Sequence, residues 1–248
     1  MNRCTPQGRP ESRFAFPDRQ TGCAAAARAD QGASPDAVAP VVASVDVSTH
    51  VVRFASAGIA ADPGLLTAAE LTRRDRLRRS EDRTAYVAAH VLARQCAAEL
   101  LQVPVESVQL VQACSQCGRE GHGKPSVVGR PAVGVSLSHS SRHVAAISAW
   151  GAAGVDVETL DDDRVVEGVL SERERVWVAR QSDPGRSFRR LWVRKEALIK
   201  SGAAALDDVA SLDLLTETAA TGVQPDTVMF TEWSAPDAVG AWTVRPAW

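Results

Sequence analysis

No apolar run in the 248-residue chain approaches the length that crosses a bilayer, so no transmembrane helix is predicted. There is no charge excess either. The 28 basic side chains face 30 acidic ones, which gives no overall attraction to nucleic acid or to an anionic membrane. The N-terminus lacks an apolar h-region, and the alanine run after Cys23 is short and followed by Arg28 and Asp30, so no secretory signal is read. Cysteine is sparse, odd in number and scattered (Cys4, Cys23, Cys96, Cys114, Cys117). Together these absences predict a cytoplasmic protein with reduced thiols. The length is enough for one large domain or two small ones with a real core.

Residues 1–44 are expected to form a disordered N-terminal extension. Up to position 40 they are rich in Ala, Pro, Gly, Arg and Gln, and they hold little that could build a core. Val47–Phe54 has the β-branched content of a strand. Thr67, with Glu70 three residues on, is a capping-box pattern. The longest helical signal runs from Glu81 to Gln102, where Ala85, Ala88, Ala89, Leu92, Cys96 and Leu100 lay down one apolar face. Cys96 on that face reads as core filler, and Arg83 and Arg94 as solvated helix charge.

Val108–Ala113 reads as a strand. Cys114 and Cys117 then form half of a zinc knuckle, to which His122 could add a third ligand, but no second pair follows at ribbon spacing. Gly121, Gly123 and Pro125 predict a loop that presents Lys124. Val133–Ser138 and His143–Trp150 alternate as two strands, and the turn His139–Arg142 between them offers several donors to an anion such as phosphate. Further on, Ser171 and Glu174 make a second capping box, Asp183-Pro184-Gly185 a break, and Arg186–Lys200 a second strong helix. Val209–Leu215, Thr227–Trp233 and Val239–Arg245 read as closing strands.

The stretch Gly154-Val155-Asp156-Val157-Glu158 alternates like a strand with one buried face. Side chains repeat every second residue, so Asp156 and Glu158 share a face about 7 Å apart and could hold one hard cation. The plainer reading is an acidic face turned to solvent. Gly154 would let a bulky ligand approach the backbone. Glu196 and Lys200 stand one helical turn apart, and alone they read as a surface ion pair. The element order predicts an α+β fold of two similar lobes related by pseudo-twofold symmetry, each a long helix on a small antiparallel sheet. The lobes would span residues 45–152 and 153–248.

The pairing of GVDVE (Gly154–Glu158) with WVRKEALIK (Trp192–Lys200) about 35 residues later resembles the signature of the 4′-phosphopantetheinyl transferases. In that family the pattern is G-[IV]-D-[IV]-E followed by W-x-x-K-E-A-x-x-K. Gly123-Lys124-Pro125, Ser138-His139-Ser140 and an arginine opening the long helix, Arg83, agree with it. The length is similar to the two-lobed, monomeric Sfp-type branch. The chain departs from the pattern after Lys200, where SGAAAL lacks a second glycine.

The resemblance implies transfer of 4′-phosphopantetheine from coenzyme A to a serine of an apo acyl or peptidyl carrier protein, with release of 3′,5′-ADP. Such carriers serve polyketide and nonribosomal peptide synthesis. Asp156, Glu158 and Glu196 match the positions that hold Mg²⁺ (or Mn²⁺) against the diphosphate, at the junction of the lobes. Glu196 matches the candidate general base, and Lys200 a phosphate contact that assists the leaving group. Arg83, Lys124, Ser138, His139, Lys195 and Lys200 match coenzyme A positions, Lys195 with a structural role as its alternative. No nucleic acid or membrane partner is implied.

Two other classes use some of the same residues. A Mg²⁺-dependent phosphohydrolase would use the clustered acids and a lysine, needs no carrier, and leaves GKP and SHS without a role. A zinc-knuckle module binding nucleic acid would rest on Cys114 and Cys117 and would be expected to show a basic excess.

Overall fold

The structure is a computed structural model and describes residues 49–113, 120–215, 218–219 and 228–245. The extension over residues 1–44, Cys114, Cys117 and the side chain of His122 lie outside the described residues. Strand β1 (His50–Ser56) opens the fold and leads to α1 (Ala68–Asp75) and the long α2 (Ser80–Leu101). The capping box is formed at α1: Thr67 Oγ1 accepts from the Glu70 N–H, and Glu70 reaches back to the Thr67 N–H. Strands β2 (Leu110–Ala113), β3 (Glu120–Val127), β4 (Val133–His139) and β5 (His143–Trp150) complete an antiparallel sheet of order β1-β5-β4-β3-β2. The alanine-rich face of α2 packs on it, with Cys96 fully buried among Ala93, Ala97 and Ala146. Burial pushes the Cys96 thiol up to about 12, which makes it an inert filler, as expected.

Beyond Gly151 the chain turns into β6 (Ala152–Thr159), which carries the acidic motif. Helices α3 (Glu172–Ala179) and α4 (Pro184–Ser201) follow. Asp183 accepts from the Arg186 N–H and Pro184 takes the first turn, so the expected break is instead the start of α4. Short strands β7 (Thr218–Ala219) and β8 (Val228–Met229) pair with each other. Strands β9 (Thr231–Ala235) and β10 (Ala238–Arg245) join β6 in a second antiparallel sheet of order β6-β10-β9. The expected strand over Thr227–Trp233 is therefore divided between β8 and β9.

The molecule is α+β, with two antiparallel sheets each backed by a long helix, α2 on the first and α4 on the second. The sheets meet through one core. Val52, Phe54, Ala145 and Ile147 face Ala153, Val155, Val157 and Trp242, so Val155 and Val157 point inward as their alternation predicts. Among the described residues no helix is long and apolar enough to cross a membrane.

Three local expectations are corrected. Val209–Leu215 is no strand: Leu206–Ser211 is a 3-10 turn, and the carbonyls of Val209 and Leu212 accept from Lys195 Nζ instead of pairing with a neighbour. Lys124 lies on β3 rather than in a loop. Gln112 pairs with Pro125 but Ala113 with Glu120, so residues 121–124 have no counterpart on β2 and bulge outward. Gly123, at φ 103°, takes the backbone turn this bulge requires. Arg94 is not solvated. It is 1% exposed and ion-paired to Glu70 at 2.6 Å, because α1 covers that face of α2.

Candidate active site

A cleft of about 520 Å³ opens where β3, β4, β6, α2 and α4 converge. Its acidic wall is built by β6 and α4. Asp156 and Glu158 sit on the face of β6 opposite Val155 and Val157, and α4 covers that face. A Cβ on Gly154 would lie 1.9 Å from the Ala197 carbonyl oxygen. Gly154 therefore admits the α4 backbone, and not a ligand as its position had suggested. The acidic face is correspondingly buried, with Asp156 3% exposed and Glu196 7%, which overturns both the solvent-facing reading and the surface-pair reading.

Ser138 Oγ donates to Asp156 Oδ1 at 2.6 Å, and Lys200 Nζ donates to the same oxygen at 2.5 Å. Lys200 thus pairs across to β6. Trp192 Nε1 donates to Glu158 Oε1 at 3.2 Å. Burial, reinforced by the negative charges of Asp156 and Glu196, pushes the Glu158 carboxyl up to about 8.

The opposite wall is basic and aromatic: Arg73, Tyr86, His90, Lys124 and His139 line it. Lys124 Nζ donates to the Ser201 carbonyl at 3.4 Å, and partial burial and Arg245 lower its pKa. Of the hairpin turn, only His139 faces the cleft. Arg142 is engaged with Asp161 and Asp237, and Ser141 with Asp161.

Two expected ligand contacts lie elsewhere. Arg83 is not among the residues lining the cleft; its guanidinium donates to the Leu77 and Arg78 carbonyls and closes the α1–α2 connection. Lys195 points away from the cleft and is 0% exposed. Its ammonium pairs with Glu174 at 2.7 Å and donates to the carbonyls of Val169, Val209 and Leu212. Its three N–H donors are thus taken up within the protein by four acceptors. Arg73, Tyr86 and His90 were missed from the sequence. The i, i+4 spacing of Tyr86 and His90 puts them on one helical face, but nothing in that pattern says the face borders a cleft.

Asp156, Glu158 and Glu196 share the cleft, yet among the described residues no group of three His, Cys, Asp or Glu side chains is drawn together to hold a metal ion. The donor chemistry nevertheless suits a hard divalent cation. Asp156 Oδ2 is buried with no hydrogen-bond partner among the described residues, and the burial that raises the Glu158 carboxyl, together with the charges of Asp156 and Glu196, is what a bound cation would offset.

No curated protein matches the chain. Residues 152–242 match the family model described as the 4′-phosphopantetheinyl transferase superfamily, a span that includes Asp156, Glu158, Lys195, Glu196 and Lys200 but not Arg83, Lys124, Ser138 or His139. The segment from β6 to β10 is thus a 4′-phosphopantetheinyl transferase superfamily domain, which implies transferase activity of the holo-acyl-carrier-protein synthase type.

Proposed function

We propose that the protein transfers the 4′-phosphopantetheine of coenzyme A to a serine of apo acyl or peptidyl carrier proteins of polyketide and nonribosomal peptide synthesis. The observation that carries this reading is one cleft with walls of opposite sign. Asp156, Glu158 and Glu196 stand on one side, and Lys124, His139 and Arg73 on the other. A ligand bearing a diphosphate and a further phosphate needs both, a cation-binding acidic edge and a set of charge-assisted donors.

Asp156, Glu158 and Glu196 would hold Mg²⁺, which when bound supplies positive charge against the diphosphate. Lys124 and His139 bind the anionic end of coenzyme A. Glu196 accepts the serine proton as the hydroxyl oxygen attacks the pantetheine-side phosphorus in line. The bond to the second phosphate breaks, and 3′,5′-ADP leaves with Lys200 beside it. Ser138, bonded to Asp156, keeps that carboxylate oriented. The same reading carries the finer architecture: an Sfp-type monomer of two pseudo-symmetric lobes, residues 45–152 and 153–248.

The test is incubation with coenzyme A, Mg²⁺ and an apo carrier, read by intact mass. A carrier gain of about 340 Da, the phosphopantetheine arm, is expected from phosphoryl transfer. Release of nucleotide without any gain would favour a phosphohydrolase and overturn the proposal. Asp156→Ala and Glu196→Ala should each abolish most transfer, with effects far from additive, since groups acting as a unit fail together. Near-normal turnover in either variant would refute the shared metal site.

A further inference from the structure

On the wall formed by α1 and α2 lies a buried polar cluster that the transfer chemistry does not use. Glu70 accepts at Oε1 from His90 Nδ1 (2.8 Å), and at Oε2 from Arg94 (2.6 Å) and from the Thr67 N–H (2.7 Å). Burial alone would raise the Glu70 carboxyl, but hydrogen bonds from His90 and Arg94 outweigh it and hold it at about 2. An ionised carboxylate can only accept, so the His90 nitrogen facing it carries a proton and the ring is held in one orientation. Tyr86, one turn earlier on α2, stacks on that ring with centroids 4.1 Å apart and planes at 29°. Tyr86 in turn meets the His139 ring edge-on, at 6.5 Å and 75°. All three rings line the cleft.

We propose that Glu70, His90 and Tyr86 form a positioning relay that sets the imidazole of His139 for its anionic ligand. His139 is the last residue of β4, so strand register fixes its backbone but not the rotamer of its ring. The edge contact from Tyr86 selects that rotamer before the ligand arrives, which lowers the ordering cost of binding. Glu70 keeps its charge and partners without ligand, because Arg94 and the Thr67 N–H belong to the folded chain. The three residues act through His139 and are not themselves catalytic. The identity of the ligand, coenzyme A, rests on the function proposed above.

The test uses the full chain with two readouts, coenzyme A affinity by calorimetry and the His139 ring signals by NMR in the ligand-free protein. Tyr86→Leu should weaken coenzyme A binding about two- to tenfold, the range set by one aromatic pair. It should raise KM with little change in kcat and shift the His139 signals. Tyr86→Phe restores the ring and should restore both readouts. In a His139→Ala background, Tyr86→Leu should cost no further affinity. An equal loss there, or unmoved His139 signals in Tyr86→Leu, would overturn the relay. Should the parent fail to bind coenzyme A, the proposed function fails while the ligand-free His139 signals still decide the relay.

Discussion

Lys124, Lys195 and Lys200 are the only lysines in a chain whose other basic side chains are all arginine. A compact ammonium and a planar guanidinium are not interchangeable. Lys195 shows it most clearly, since its Nζ is enclosed by Glu174 and three carbonyls that a guanidinium could not meet together. Glu174 in turn accepts from the Ser171 and Leu214 backbone N–H groups. Lys195→Met should therefore strand a fully buried carboxylate and cost about 3–5 kcal/mol of stability. Coenzyme A affinity of the folded fraction should barely change. Denaturant unfolding beside calorimetry checks this, and full stability with a tenfold loss of affinity would return Lys195 to the ligand. Glu158 gives a pH-dependent counterpart. Its folded pKa of about 8 lies above the ordinary 4.5. The folded state therefore binds the extra proton, and the stability that comes with it, present below the ordinary value, is lost as pH rises through about 8. Without metal, Glu158→Gln should melt above the parent in alkaline buffer and converge with it in acid. Thermal melts across pH check this, and a constant offset would contradict the assigned shift.

At the scale of elements, what could be read from the sequence was what is written within a few residues. Both capping boxes, Thr67–Glu70 and Ser171–Glu174, formed as read, and β4, β5 and β6 are strands where the alternation placed them, although β5 and β6 are buried on both faces. Partners far along the chain were not legible. Arg94 looked solvated because Glu70, 24 residues away, shows no periodic link to it. Val209–Leu215 has the composition of a strand, but its carbonyls serve Lys195 on another helix. The acidic motif was legible as chemistry, whereas the role of its glycine needed α4 in place. Gly154→Ala would drive a Cβ into the backbone at Ala197 O and Ser201 N, neither of which can swing aside as a side chain would. The variant should lose about 1–3 kcal/mol or more as α4 lifts from β6. Transfer should fall with it, since Glu196 and Lys200 ride on α4. Unfolding curves and transfer rates check both, and a G154A protein as stable and active as the parent would refute this contact.

At the scale of the molecule, the cleft is made by two sheets that neither helix spans alone. Lys124 and His139 belong to the first, while Asp156 and Glu158 belong to the second. Their separation is set by the core between the sheets, and Phe54 is its central ring. It stacks on Trp233 at 4.7 Å and 7° and leans on Trp242 at 5.8 Å, so a β1 residue is held by β9 and β10. Gly240 beneath it leaves no room for a Cβ, which would lie 2.4 Å from the Phe54 ring. This core crosses the boundary near residue 152 at which the sequence suggests two lobes, and hence the sheets should unfold together. Phe54→Ala removes a fully buried ring and should cost about 3–5 kcal/mol. If the core couples the sheets, calorimetry should show one transition moved bodily to lower temperature. KM for coenzyme A should rise as well, because the basic and acidic walls lose their fixed spacing. Two transitions, of which only one moves, would instead mean that the sheets are independent units and that the cleft closes only around its ligand.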